Sequence, residues 1–64
     1  MTKPYYESMG ERYRSATPEV RAASKDHWLK CHKENLASGR QDMIIFTAQI
    51  LAQISLVENE EKSA

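Results

Sequence analysis

His27 and Cys31 stand one helical turn apart, so on a helix an imidazole and a thiol would share a face. Two chemistries use that pair: metal ligation, and attack by a thiolate with the imidazole as its base. A closed zinc site needs four ligands, and although Asp26 and His32 are near in sequence, His32 projects about 100° away from Cys31. Only a second chain would complete the set. The nucleophile reading lacks an oxyanion hole and a cleft, neither of which a helix interior offers. Cys31 is therefore expected as a small core residue with His27 at the rim of an interface, and no metal or cofactor is expected. The carboxylate pairs Glu7 with Glu11 and Glu60 with Glu61 lie in polar surroundings that would make neither member a general acid. No catalysis is expected.

The third chemistry is recognition of nucleic acid. Tyr13 lies between Arg12 and Arg14, with Arg21 and Lys25 following, a mixture found where bases stack over a basic surface. Further along, Lys30, Lys33 and Arg40 are interleaved with Asp26 and Glu34 and spread around the helix. The whole chain carries nine basic and nine acidic residues, so no global field attracts phosphate. Its halves differ: residues 1–40 hold eight basic and five acidic residues, and residues 41–64 hold one and four. Opposite halves favour antiparallel association, although so small an asymmetry carries little weight. The simpler expectation is that Tyr6, Met9 and Tyr13 fold back to cover a pair of helices.

The elements that would position these groups are organised around Met43–Val57, in which only Thr47, Gln49, Gln53 and Ser55 are polar and no residue is charged. At helical spacing Met43, Phe46, Thr47, Ile50, Leu51, Ile54 and Val57 form a broad stripe, and Ile45, Ala48, Ala52 and Leu56 a narrower one nearly opposite. Two apolar faces on one helix require two surfaces to cover them. Upstream, Thr17-Pro18-Glu19 is a helix start, with a threonine cap, a proline where no N–H is needed and an acid at the positive end of the dipole. The helix it opens should run from Pro18 to Ser38. Val20, Ala23, His27, Trp28, Cys31 and Asn35 lie along one side of it with Trp28 as the single large anchor, and Ala22, Leu29 and Leu36 lie on the other. Gly39 can end that helix in the left-handed conformation, and Asp42 can cap the next.

The resulting expectation is an all-α chain. Residues 1–16 form an arm or short helix interrupted at Gly10, residues 17–38 and 42–58 form a helical hairpin, and residues 59–64 an acidic, mobile tail. A rival is one long coiled-coil helix, because Ala22, Leu29, Leu36, Met43, Ile50 and Val57 recur every seven residues. Its second column, Lys25, His32, Gly39, Phe46 and Gln53, is mostly polar, which favours the hairpin.

Sixty-four residues make one domain at most, one that buries only roughly 60% of its unfolded surface. With a single cysteine no internal disulfide can add stability, so oligomerisation is the expected route. Two hairpins would pair into a four-helix bundle as a homodimer, with Trp28, Met43, Phe46, Ile50, Leu51, Ile54 and Val57 at the interface and in its core. The chain starts without an apolar leader, and Met43–Val57 falls short of the roughly 20 residues that span a bilayer. A soluble, cytoplasmic protein is expected. The functional expectation is a small non-enzymatic protein-binding or regulatory protein acting through helix-face contacts. The alternative is a nucleic-acid-associated protein using Arg12, Tyr13, Arg14, Arg21 and Lys25.

Overall fold

The ends of the helices lie where the local chemistry dictates. The computed structural model describes residues 2–63, with α1 at Tyr5–Ser15, α2 at Pro18–Ser38 and α3 at Gln41–Ser63. Among these residues the fold is all-α. Thr17 caps α2 by accepting a hydrogen bond from the Val20 N–H, with Pro18 in the first turn, and Gly39 closes it at φ 71° with its N–H on the Asn35 carbonyl. That left-handed glycine breaks the seven-residue column and rules out a continuous helix. The connection is only Gly39 and Arg40. Asp42 therefore lies inside the first turn of α3 instead of capping it, where its charge still favours the helix N-terminus.

α2 runs antiparallel to α3, as four pairs show in register: Arg21 with Glu61, Lys25 with Glu58, His32 with Thr47, and Asn35 with the Met43 carbonyl. α1 runs parallel to α3. Tyr5 stacks on Phe46 at its start (ring centroids 5.4 Å apart), Gly10 meets Gln53 in its middle, and Arg14 reaches Glu60 at its end. α3 is thus the central element, with α1 and α2 each laid along it and touching one another little.

This arrangement corrects two expectations. The broad stripe of α3 is the interior of a single chain: Ile50, Ile54 and Val57 are buried with Thr47, and the core is completed by Tyr13. Tyr6, Met9, Trp28, Phe46 and Leu51 pack against this core, while Met43 is largely exposed. Tyr6, Met9 and Tyr13 of α1 fold back over the helix pair as expected and supply the wall that encloses this stripe. Gly10 does not interrupt that wall but allows it: a Cβ there would come within 3.2 Å of the Gln53 Cβ, so the missing side chain lets the two helices approach. The second correction concerns the acidic end. α3 continues to Ser63 rather than ending near Glu58, because Glu58, Glu60 and Glu61, which would oppose the dipole alone, each meet a cation of α1 or α2. Ala64 lies outside the described residues.

The core is small and Ile50 is fully enclosed. Ile50→Ala should cost about 2–5 kcal/mol, a large share of the stability of so short a chain, and chemical denaturation followed by circular dichroism measures it.

Candidate functional site

The five residues proposed for nucleic acid do not converge on a basic surface. Tyr13 is buried, and the Arg21 guanidinium lies over its ring, 5.2 Å from the centroid, so it has no face left for a base. Arg14 is bonded to Glu60 at 2.8 Å, Arg21 to Glu61 and Lys25 to Glu58 at 2.9 Å. Of the four cations among them, only Arg12 lacks a carboxylate partner among the described residues.

Arg21 does more than form an ion pair. Its Nε–H donates to the Tyr13 carbonyl, which also accepts the Ala16 N–H, and its Nη2 to the Arg14 carbonyl, both at 2.8 Å, at the end of α1 where carbonyls run out of helical partners. The same guanidinium binds Glu61 through both oxygens, at 2.5 and 2.7 Å. One planar fork therefore ties the C-terminal end of α1 to that of α3, a geometry lysine cannot reproduce. The hydrogen bond from Arg21 holds the Glu61 carboxyl below its ordinary value of 4.5, and Lys3 does the same for Glu11. Glu58 raises the Lys25 ammonium above 10.5.

The other polar cluster sits inside the hairpin. The hydroxyl proton of buried Thr47 has the Met43 carbonyl at 3.0 Å, and its oxygen lies 2.7 Å from His32 Nδ1 and 3.4 Å from Asn35 Nδ2. His32 is thus turned to α3. His27 Nε2 lies 3.7 Å from Cys31 Sγ on the more open side of α2, and no third His, Cys, Asp or Glu joins them among the described residues. His27 also stands edge-on to Trp28, which is itself edge-on to Phe46. The polar line Arg21, Lys25, His32 and Asn35 on α2 faces α3. Sequence reading missed it because a hydrophobicity pattern carries no signal for a polar seam.

With the broad stripe inside, the surplus apolar surface of α3 is the narrower stripe. Ile45 and Leu56 remain 56% and 51% exposed, and Ala48 and Ala52 between them are open as well. On α2, Leu29 and Leu36 are 49% and 56% exposed. The pairing register puts Leu29 between the Lys25–Glu58 and His32–Thr47 rungs and Leu36 next to the Asn35–Met43 rung. On the helical wheel both leucines lie on the side of α2 away from α1, and Ala48 lies on the corresponding side of α3. Ile45 and Leu56 lie elsewhere, on the outer side of α3, roughly opposite its Thr47 and Glu58 contacts with α2, so the exposed apolar residues form two separate patches, one on each helix. Of the seven residues expected at an interface, Ile50, Ile54 and Val57 are enclosed, Trp28, Phe46 and Leu51 half-buried, and Met43 more open.

Compared with protein-family models, with curated proteins and with solved structures, the chain matches none. No helix is long and apolar enough to cross a membrane among the described residues.

A carboxylate depressed in the folded state contributes stability above its unfolded value and loses it as pH falls through the folded one. Melting temperature should therefore hold at neutral pH and fall below about pH 4.5, the range set by Glu61 and Glu11. Arg21→Ala should lower the melting temperature at pH 7 and flatten this acid limb. Arg21→Lys should recover only part of the loss, as thermal melts across pH would show.

Proposed function

We propose that this is a small, non-enzymatic, cytoplasmic interaction protein that works as a homodimer, joined through the apolar stripe on the outer face of α3. The observation that carries this reading is the half-exposed pair Ile45 and Leu56 on α3, with the open Ala48 and Ala52 between them. Ile45 to Leu56 spans roughly 16 Å of helix, and the small Ala48 and Ala52 permit close approach of a second helix. Gln49 and Ser55, which border the stripe on either side, are uncharged, so two copies can meet antiparallel without like-charge repulsion. Two chains joined in this way set their α3 helices side by side, with α1 and α2 of each copy outside. A second copy is the favoured occupant because the surface is self-complementary and the core of one chain is small. The catalytic reading has less support, since the titratable groups are engaged in exposed ion pairs and not gathered in a cleft.

Sedimentation equilibrium at micromolar concentration should return a dimer. Ile45→Lys with Leu56→Lys should return a folded monomer with unchanged helicity, because both positions are already open in the single chain. A native chain that stays monomeric overturns the proposal, as does a double variant that still dimerises.

The nucleic-acid alternative predicts a steep fall of affinity with salt. With Arg14, Arg21 and Lys25 engaged by carboxylates, no binding of duplex or single strand is expected even at low salt, which a fluorescence-anisotropy titration checks.

A further inference from the structure

Where α1 and α2 diverge, they leave a groove of about 210 Å³ on the side of the molecule away from the dimer face. Its floor is Ile54, and its walls are Met9 and Tyr13 from α1 and Val20 and Trp28 from α2. Val20 to Trp28 covers eight residues of one wall, roughly 12 Å, while the volume is below the approximately 300 Å³ at which sites for drug-sized ligands begin. A slender hydrocarbon chain fits such a slot better than a multi-ring body.

The polar groups in the lining are unusual in kind. Arg12 is the one charged residue, and Ser24 contributes a hydroxyl. Neither side chain, nor the indole N–H of Trp28, makes a hydrogen bond or ion pair with the protein among the described residues. Meanwhile the neighbouring cations Arg14, Arg21 and Lys25 are each occupied by a carboxylate. The groove therefore combines an apolar floor with hydrogen-bond donors, one of them a full positive charge. Donors without acceptors along an apolar slot call for a ligand that brings its own acceptor.

We infer that this groove binds a linear amphipathic monoanion of the medium-chain alkyl carboxylate class, with its chain along Met9, Val20 and Trp28 and its head group taken by Arg12. This site is independent of dimerisation.

Trp28 is the only tryptophan, so its emission reports directly on the groove. Titrating the full chain with octanoate should give a saturable change in Trp28 emission. Octan-1-ol should bind roughly tenfold more weakly for want of the charge-assisted contact. Arg12→Gln, at an exposed position, should bring octanoate down to the octanol level, and Lys33→Gln, which removes a cation elsewhere on α2, should leave it unchanged. Val20→Glu, at a half-exposed position that leaves the fold intact by circular dichroism, should abolish octanoate binding. A response that never saturates, equal affinity for octanoate and octanol, or equal losses in Arg12→Gln and Lys33→Gln would overturn the inference.

Discussion

The ends of all three helices converge on one guanidinium. Arg21 sits one turn into α2, yet its hydrogen bonds go to the last carbonyls of α1 and to the last turn of α3. Without it, the Arg14 carbonyl at the end of α1 loses its partner and Glu61 stands unopposed at the negative end of the α3 dipole, two faults in the same corner of the molecule. A single cation corrects both. Because the fork is planar and bidentate, it also fixes the angle at which α1 lies against α3, and with it the cover over Ile54 and Val57. Flanked by Lys25–Glu58 and Arg14–Glu60, it makes that end of the fold an ionic clamp and leaves the middle to apolar packing.

The division of labour among the helices follows from this. α3 supplies nearly all the buried apolar surface, and α2 contributes no fully buried residue. α2 is instead attached by a polar line along its length, from Arg21 through Lys25 and His32 to Asn35, with Trp28 as the one large apolar contact. Polar attachment is register-specific: each rung has one partner at one distance, whereas an apolar stripe tolerates sliding by a turn. It is also weak where exposed, since surface ion pairs contribute about 0–1 kcal/mol each. A chain built in this way has a well-specified hairpin with modest stability, for which burial of further apolar surface by association is the available remedy.

Much of this organisation could be read in the residues. Thr17-Pro18 and Gly39 marked the bounds of α2 because caps are local chemistry, and the two stripes of α3 were visible because helical periodicity is local too. The use of the stripes was not legible. Ile50, Ile54 and Val57 face inward because α1 turns parallel to α3, and that turn depends on pairs far apart in sequence, such as Tyr5 with Phe46 and Arg14 with Glu60. Gly10 read as a break because its helix cost is a local property, whereas its benefit, close approach to Gln53, is tertiary. The charge asymmetry between the halves was visible but ambiguous: antiparallel pairing of the kind it favours is made between α2 and α3 within one chain.

The parallel placement of α1 has a further structural consequence. A third helix added to a hairpin can fill the space between its two partners or lie along one of them. Here the Tyr5–Phe46 stack, the close approach at Gly10 and the Arg14–Glu60 pair hold α1 along α3, while α2 grips α1 at one end through Arg21. The groove lined by Met9, Val20 and Trp28 is what remains between α1 and α2, so its existence follows from where α1 is anchored rather than from imperfect packing of the core. The side of α3 turned away from the core stays bare, and Ile45 and Leu56 are exposed there. The two surfaces are thus separated by α3, and a change at one reaches the other only through that helix. Its rungs at Thr47 and Glu58 would have to shift for any coupling between them.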